Sequence, residues 1–284
     1  MTAEKKIAGW KKAVEGELER ILSRGDTLLD QAMRDSVLCG GKRFRPLLVL
    51  GAADAFGATA KSALPFACAV ELIHNYSLIH DDLPSIDNDD YRRGRPSCHK
   101  AFGEDIALLA GDSLLTMAFE VMAAAEMPRS RLSRKERVIR EIAQLAGAEG
   151  MIGGQLLDIT FSAENAGEPG IRELMLKKTG ALIVASVRAG AVLGGAGQTA
   201  LKAVTKFGEN IGLAFQVRDD LHDATEKGRG ARPPRPNYAT LFGLDEARCL
   251  LTNSIGSALE ALQSASIESA VLRRLARQLS DVQQ

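Results

Sequence analysis

Residues 67–87 read Ala-Cys-Ala-Val-Glu-Leu-Ile-His-Asn-Tyr-Ser-Leu-Ile-His-Asp-Asp-Leu-Pro-Ser-Ile-Asp, and residues 211–223 read Ile-Gly-Leu-Ala-Phe-Gln-Val-Arg-Asp-Asp-Leu-His-Asp. In both stretches, mostly apolar residues with helical spacing lead into a group of three aspartates. Carboxylates so close together repel one another, and the arrangement costs stability unless cations occupy it. Mg²⁺ suits such a group because it takes oxygen ligands and binds through a few carboxylates together with phosphates. The two stretches therefore predict helices that lead into magnesium sites, and two such sites facing each other would enclose a diphosphate.

The second group combines Asp219, Asp220 and Asp223. On a helix, positions i, i+1 and i+4 lie within about one turn of each other, so the three carboxylates share one end of the helix. Gln216 lies one turn earlier, with its amide near the same face. Either this amide belongs to the site, or it is an ordinary polar group bonded to a helix neighbour.

The first group combines Asp81, Asp82 and Asp87. Pro84 cannot continue a regular helix, so Asp81 and Asp82 are predicted near a helix C-terminus, where the macrodipole disfavours negative charge. Taken alone, the group could equally be a solvated acidic loop, because aspartates continue through Asp90. The presence of the second group favours a cation site.

Positive charge that could bind a diphosphate directly is available at residues 40–46, 92–93 and 177–180. The planar fork of arginine suits phosphate oxygens, and lysine acts as a point charge. Each basic segment alone is more typical of a solvated surface, but their occurrence together with two acidic groups favours a phosphate site. Lys178 lies in an otherwise apolar helix, where a buried ammonium needs a partner. His74 lies two turns before the first acidic group, where a phosphate contact and an ordinary core position are both open.

Helical spacing of apolar residues continues along almost the whole chain, and good helix formers dominate it. It predicts an all-α fold with one domain over residues 1–284. Helices are predicted at residues 15–22, 28–38, 45–56, 63–80, 106–125, 134–149, 171–193, 200–223, 244–262 and 267–282.

Composition excludes several classes of protein. With 36 basic and 36 acidic residues the formal net charge is zero, which argues against a nucleic-acid binder. Four widely spaced cysteines without a CxxC pair argue against a zinc site and predict free thiols in the cytoplasm. The first residues contain no apolar signal segment. The longest apolar stretch, 179–198, is interrupted by Arg188, whereas a membrane span needs about 20 apolar residues without such a charge.

The order and spacing of five motifs resemble the trans-isoprenyl diphosphate synthases, from about residue 40 to residue 244. The motifs are Gly-Gly-Lys-Arg-Phe-Arg-Pro (40–46), the first aspartate segment with the following Tyr-Arg-Arg-Gly (78–94), Gly-Gly-Gln-Leu-Leu-Asp (153–158), Lys-Thr-Gly (178–180) and Phe-Gln-Val-Arg-Asp-Asp-Leu-His-Asp (215–223). The resemblance implies an isoprenoid synthase-type helical bundle with a deep central cavity, usually as a homodimer.

The resemblance also implies roles for individual residues. The ligands of three Mg²⁺ ions would be Asp81, Asp82, Asp87, Asp219, Asp220 and Asp223. Isopentenyl diphosphate would be bound by Lys42, Arg45, His74 and Arg93. The allylic diphosphate would be contacted by Arg92 and Lys178, with Thr179 and Gln216 stabilising charge near the reacting carbons.

Tyr76 bears on the length of the product. It lies five residues before Asp81, which is about 7.5 Å deeper along a helix, where a ring could close the cavity. Together with the two extra residues at Pro84-Ser85, this resembles the bacterial members of the family that make farnesyl diphosphate. A core-packing role for Tyr76 and a geranylgeranyl diphosphate product are the alternatives, the second because Asn88 and the enlarged motif also occur in enzymes of that kind.

One segment departs from the family pattern. After the second aspartate group the family carries a Gly-Lys-Asp element and a later lysine, whereas residues 227–238 here contain no lysine after Lys227. Arg229, Arg232 or Arg235 could supply the missing charge, although arginine is not a neutral exchange for lysine. A terpene cyclase is disfavoured by the intact second aspartate group, and a weakly active or regulatory subunit is supported by this segment only.

Overall fold

The computed structural model describes residues 2–161, 163–225 and 237–280, and helices dominate all three ranges. The predicted all-α class is confirmed, while the domain bounds 1–284 stay a prediction. The predicted lysine-poor segment with Lys227, Arg229, Arg232 and Arg235 lies outside the described residues.

The first part of the chain contains six helices and one short hairpin. The helices are α1 (Ala3–Leu22), α2 (Leu28–Leu38), α3 (Phe44–Ala55), α4 (Ala60–Asp81), α5 (Cys98–Phe102) and α6 (Glu104–Ala124). The hairpin pairs β1 (Tyr91–Arg92) with β2 (Arg95–Pro96) in antiparallel register, with Tyr91 opposite Pro96.

The remaining elements follow a 3₁₀ turn at Arg129–Arg131. They are α7 (Leu132–Ala146), α8 (Met151–Thr160), α9 (Ala163–Met175), a π-helical turn (Leu176–Gly180), α10 (Ala181–Gly194), α11 (Gln198–Thr225), α12 (Tyr238–Phe242), α13 (Leu244–Ser264) and α14 (Ala270–Arg277). Helix α9 is interrupted by a non-helical residue, Gly167.

Local sequence explains where the best-predicted helix begins. The Oγ1 of Thr27 accepts a hydrogen bond from the backbone N–H of Asp30 at 3.2 Å, and the Asp30 carboxylate accepts one from the Thr27 N–H at 2.9 Å. This reciprocal capping box satisfies two N–H groups that have no partner within the helix. The predicted bounds 28–38 of α2 are confirmed.

Helices α3, α4 and α10 form the interior of the bundle, and most of their residues are buried. Helix α10 lies very close to α3. A Cβ added to Gly190 would be only 2.1 Å from the carbonyl oxygen of Val49, so only a glycine fits there. Among the described residues, the buried apolar side chains form one continuous cluster. Helices α4 and α11, which lead into the two aspartate groups, both contribute side chains to this cluster.

Residues 171–193 were predicted as one continuous helix, and this prediction was wrong. They are observed as the end of α9, the π-helical turn and α10. Helix α8 was missed, because two glycines, Gly153 and Gly154, lower the helix propensity of its sequence. The early start of α1 and the short helices α5 and α12 were missed as well. Apart from α2, the other predicted helices are observed with shifted ends.

Two apolar helices bear on the predicted absence of a membrane span. The stretch interrupted by Arg188 is α10 in the core, where the guanidinium bonds Glu141 at 2.8 Å and Thr205 at 2.7 Å. Another described helix, α6, is long and apolar enough to cross a membrane. An 18-residue window of this helix has a mean hydropathy of 1.6, and 39% of the window is buried. A core helix of a bundle has the same composition, so length and hydropathy alone do not make α6 a span.

Candidate active site

The first aspartate group lies at the end of α4, as predicted. Asp81 is the last residue of the helix, and the N–H of Asp82 still bonds the carbonyl of Leu78 at 3.1 Å. After Pro84 the chain folds back, so that the N–H of Asp87 donates to the carbonyl of Asp81 at 2.9 Å. This local turn brings the third aspartate of the group back to the helix end.

Burial makes ionisation of this group unfavourable. It raises the pKa of Asp81 to about 6, with Lys178 lowering it and the neighbouring charge of Asp87 raising it further. Burial also raises the pKa of Asp82, against the effect of Arg92. Buried carboxyl groups with raised pKa values are common at functional sites, and a bound cation would favour their charged form.

Arg92 forms an ion pair with the carboxylate of Asp82. Its Nε donates to both oxygens, at 3.1 and 3.2 Å, and its Nη2 also contacts Oδ1. The same Nη2 lies 3.5 Å from Asp89. The hairpin β1–β2 thereby brings Arg92, which is predicted to contact the allylic diphosphate, into contact with Asp82, which is a predicted metal ligand.

The second aspartate group lies in the last two turns of α11. Asp220 is buried and accepts from Gln216 Nε2 at 2.8 Å and from the backbone N–H of Tyr238 at 3.0 Å. Burial nevertheless raises the pKa of Asp220 to about 6. Asp219 accepts from Arg218 at 2.9 Å, and Asp223 is exposed one turn further on.

The π-helical turn positions Lys178 and Thr179. Such turns are rare and are frequently found at functional sites. Thr179 Oγ1 donates to Gln216 Oε1 at 2.5 Å, and Gln216 continues the chain of hydrogen bonds to Asp220. Lys178 Nζ donates to Asp158 at 2.6 Å. The predicted need of Lys178 for a partner is met by Asp158.

Asp158 and Gln155 were missed as site residues, although their motif was noticed. Gln155 and Asp158 lie three residues apart on α8. This helix packs very closely on the π-helical turn, since a Cβ added to Gly154 would be 2.1 Å from the backbone nitrogen of Lys178. Both polar atoms of the Gln155 amide are buried without a partner in the described part of the chain. The signal that could have identified them is the spacing of Gln155 and Asp158 on one helix face.

A cationic group is formed beside the acidic ones by Arg45, His74 and Arg93. Arg45 Nη1 lies 3.4 Å from His74 Nε2. Burial and the charge of Arg45, followed by those of other arginines, lower the pKa of His74 well below its usual value. The imidazole is therefore neutral, and Nε2 accepts from Arg45. Arg93 Nη1 donates to the carbonyl of Gly40 at 2.6 Å.

Two glycines shape this cationic group. Gly41 has φ +129°, and a Cβ there would lie 3.2 Å from the Arg93 guanidinium carbon. Gly40, at φ +96°, presents its carbonyl to the same guanidinium. Lys42 follows in the chain and is exposed. The glycines thus let Arg93 approach the backbone just before α3. From the sequence, the segment 40–46 was predicted only as a source of positive charge.

Arg43 is a structural residue rather than part of the site. Its Nη1 bonds Glu71 Oε1 at 2.8 Å and its Nη2 bonds the carbonyl of Val37 at 2.8 Å, with both charged side chains almost fully buried. The sequence suggested a third phosphate-binding cation at this position. The structure instead shows a buried ion pair that joins the segment before α3 to α4.

Replacing Arg43 by methionine is therefore expected to destabilise the fold by about 3–5 kcal/mol, because it leaves the Glu71 charge buried without a partner. Chemical denaturation measures this change, and Arg43→Met with Glu71→Leu should recover most of it. Arg248→Met, which breaks an exposed pair with Asp245, is the control and should cost about 1 kcal/mol or less. A loss below about 1 kcal/mol for Arg43→Met would contradict the structural role.

Phe215 and Arg218 are further neighbours of the site that the sequence did not single out. The guanidinium carbons of Arg45 and Arg218 lie 5.5 and 4.8 Å from the centre of the Phe215 ring. The Phe215 ring also contacts Phe44, with 5.4 Å between centroids. The ring thus lies between the cationic group and the second aspartate group.

Tyr76 lies where the sequence predicted it, on α4 below the first aspartate group. Its side chain is buried, and its hydroxyl has no partner among the described residues. Burial, and to a lesser extent the charge of Asp81, raise the pKa of Tyr76 to about 12, so the hydroxyl is neutral. The ring is in edge-on contact with His80, with 5.7 Å between centroids.

The carboxylates fit Mg²⁺ by their chemistry. All six predicted ligands offer hard oxygen atoms, and Mg²⁺ needs only one or two carboxylates besides water and phosphate oxygens. Among the described residues, no three acidic, histidine or cysteine side chains stand close enough to hold a metal ion by themselves. By their chemistry, these carboxylates would suit a Mg²⁺ ion that also binds phosphate oxygens.

Comparisons with known proteins find relatives that match most of the chain. A family model described as polyprenyl synthetase matches residues 26–231. Farnesyl diphosphate synthase of Geobacillus stearothermophilus is 40% identical over 282 residues, which cover 96% of this chain and 95% of the relative. Farnesyl diphosphate synthase of Escherichia coli K12 is 40% identical over 265 residues, or 88% of each chain. A chloroplastic geranylgeranyl pyrophosphate synthase of Catharanthus roseus is 43% identical over 248 residues, covering 84% of this chain and 68% of the relative.

Solved structures show the same architecture. An apo FPP/GFPP synthase of Zymomonas mobilis matches with a TM-score of 0.87 and 33% identity, over 98% of both chains. A geranyltransferase of Legionella pneumophila matches with a TM-score of 0.86 and 33% identity, over 98% of this chain and 96% of that one. The predicted bundle type is confirmed.

Proposed function

Because the chain belongs to the polyprenyl synthetase family, we propose that it is a short-chain trans-prenyltransferase that joins isopentenyl diphosphate to dimethylallyl or geranyl diphosphate and yields mainly farnesyl diphosphate. The observation that carries this proposal is the meeting of three elements. The end of α4 contributes Asp81, the π-helical turn contributes Lys178 and Thr179, and α11 contributes Gln216 and Asp220. Lys178 is near enough to Asp81 to lower its pKa, and the adjacent Thr179 bonds Gln216, which bonds Asp220, so the π-helical turn connects the other two elements.

At the allylic site, the six aspartates would hold Mg²⁺. The family's pattern implies three such ions. When bound, Mg²⁺ neutralises the charge that develops on the departing diphosphate. Lys178 and Arg92 add fixed positive charge at the same place, and each is already ordered by a carboxylate, Asp158 and Asp82 respectively. Charges held in position before the reaction stabilise the transition state without further reorganisation.

Isopentenyl diphosphate would bind to the cationic group of Arg45, His74 and Arg93, together with Lys42. Since His74 Nε2 accepts from Arg45, the other ring nitrogen carries the proton and can donate to a phosphate oxygen. Arg93 is free to bind with its remaining N–H groups while Nη1 stays on Gly40. The neutral histidine thus adds a donor without adding charge.

Bond formation needs the two substrates in contact and water excluded. Thr179 and Gln216 orient their dipoles beside the reacting carbons through the chain of hydrogen bonds to Asp220. The apolar interior of the bundle protects the allylic cation from water. We propose that the released diphosphate takes the proton lost in the last step, because no side chain of the described site is placed as a dedicated base.

The direct test is product formation from isopentenyl and dimethylallyl diphosphates, with the products identified by mass spectrometry. Farnesyl diphosphate is expected with Mg²⁺, and its formation should stop when EDTA removes the metal. Absence of any product with dimethylallyl, geranyl or farnesyl primers would overturn the proposal. Mainly C20 product would favour the alternative, a geranylgeranyl diphosphate synthase.

We further propose a cytoplasmic homodimer. The four cysteines, all in described parts of the chain, are free thiols, which suits a reducing compartment. Helix α6 exposes Leu108 and Leu109, and α8 exposes Ile152, Leu156 and Ile159 on one face. A second copy of the chain would cover these apolar surfaces and would account for the hydropathy of α6.

Replacing Leu109 and Leu156 by aspartate is expected to convert the dimer to a monomer, because both charges would have to be buried at the interface. Light scattering after size exclusion measures the mass, which for the wild type should be twice that of the 30.4 kDa chain. Leu28→Asp is the matched control, since Leu28 on α2 is similarly exposed, at 51%. A monomeric wild type would contradict the proposal.

A further inference from the structure

His80, next to the first aspartate group, connects α4 to α6. Its Nε2 lies 3.1 Å from the carbonyl oxygen of Leu108 and 3.9 Å from a carboxylate oxygen of Asp112. Because a carbonyl only accepts hydrogen bonds, Nε2 carries the proton and donates it. The imidazole is therefore tied to the backbone of a neighbouring helix.

The sequence of α6 leaves room for this ring. A Cβ added to Gly111 would lie 2.1 Å from His80 Nε2 and 2.4 Å from its Cδ2, closer than any real Cβ contact. Only glycine at this position lets the imidazole reach the α6 backbone. The contact between His80 and α6 is thus built into both helices.

The same imidazole contacts Tyr76, the residue that the sequence predicts as the floor of the cavity. His80 lies one turn after Tyr76, and the two rings meet edge-on with 5.7 Å between centroids and 77° between planes. Edge-on pairs are a favourable aromatic arrangement. Since the Tyr76 hydroxyl has no partner among the described residues, packing alone holds the ring, and His80 is its aromatic neighbour.

We propose that His80 is a specificity-determining positioning residue, which ties the ring of Tyr76 to α6 and thereby fixes the depth of the product cavity. This rests on the proposed function together with the prediction from the sequence that the ring of Tyr76 closes the cavity and ends chain elongation. With α6 also carrying the exposed Leu108 and Leu109, the cavity floor is braced against the helix that is proposed to meet the second subunit.

The test is the ratio of C20 to C15 product at saturating isopentenyl diphosphate, for His80→Ala, His80→Phe and Tyr76→Ala. Loss of the ring in His80→Ala is expected to raise the ratio by about 2- to 10-fold, the range that corresponds to one edge-on aromatic pair. His80→Phe keeps a ring against Tyr76 and should stay closer to the wild type. Thr116→Val, an exposed position further along α6, is the control and should leave the ratio unchanged.

A double variant separates this role from general damage. If His80 acts through Tyr76, His80→Ala should add nothing to the product ratio of Tyr76→Ala, because the two changes affect one contact. The inference is overturned if Tyr76→Ala lengthens the product but His80→Ala alone does not, or if their effects on the ratio multiply. If Tyr76→Ala itself leaves product length unchanged, the predicted role of Tyr76 as the cavity floor fails, and the role of His80 fails with it, whereas the proposed function fails only if no product forms.

Discussion

Replacing Asp81 by asparagine is expected to lower kcat by at least about 10²–10³-fold, while making the metal-free protein more stable. The loss of rate follows because an amide no longer offers the charge that holds Mg²⁺ on the allylic diphosphate, and single electrostatic groups of this kind have effects of that size. The gain in stability follows because Asp81 is buried without enough compensating positive charge, which raises its pKa to about 6. The site would thus be maintained at the expense of the fold.

The pH dependence of the free energy of unfolding gives the sign of this effect. A carboxyl whose pKa is raised on folding binds its proton more tightly in the native state, so its favourable contribution exists at low pH and is lost as the pH rises toward 6 and above. The metal-free wild type should therefore lose about 2–3 kcal/mol between about pH 4 and pH 7 through Asp81. Asp81→Asn removes this loss, which urea denaturation in EDTA at both pH values measures.

Asp220 provides the control for this interpretation. Its two oxygens accept from different donors, Gln216 and the backbone of Tyr238, so an asparagine there would direct an N–H₂ group at one of them. Asp220→Asn should therefore lower kcat to a similar extent but bring no gain in stability. Equal stabilisation by both variants, or activity of Asp81→Asn near that of the wild type, would contradict the assignment of these carboxylates.

The sequence predicted the parts of the site that depend on local rules. Pro84 ends α4 directly after the aspartates, and the spacing of Asp219, Asp220 and Asp223 places them at the end of α11, as the structure shows. A tertiary contact decides the role of Arg43, and no local pattern distinguishes a buried ion pair with Glu71 from a phosphate contact.

The π-helical turn was missed for a related reason. Residues 171–193 have the composition of one continuous helix, and the irregularity at Leu176–Gly180 arises where α8 packs against it through Gly154. Asp158 becomes recognisable as the partner of Lys178 only when α8 is known to be helical. The chemistry of the site was therefore predictable from motifs, whereas the residues that hold its side chains in place depend on how the helices pack.

Tyr76→Ala is expected to change the main product from C15 to C20 or longer. Tyr76 is 4% exposed and lies in the turn of α4 below the first aspartate group. If its ring closes the cavity, as the sequence predicts, its removal should open space for the growing prenyl chain. Removing a large buried ring leaves a cavity that the surrounding residues fill only in part, and in an enzyme with an apolar substrate the growing chain can occupy it. Binding of the longer chain then offsets the loss of packing.

The measurement is the product distribution by mass spectrometry at several ratios of isopentenyl to allylic diphosphate. Tyr76→Phe is the matched control, because the hydroxyl has no partner among the described residues and its loss should leave both packing and product length unchanged. Consumption of dimethylallyl diphosphate should continue in Tyr76→Ala, since Asp81 and Lys178 are untouched. If Tyr76→Ala still stops at C15, another group closes the cavity and Tyr76 is an ordinary core residue. If Tyr76→Phe lengthens the product as well, the hydroxyl rather than the bulk of the ring sets the limit.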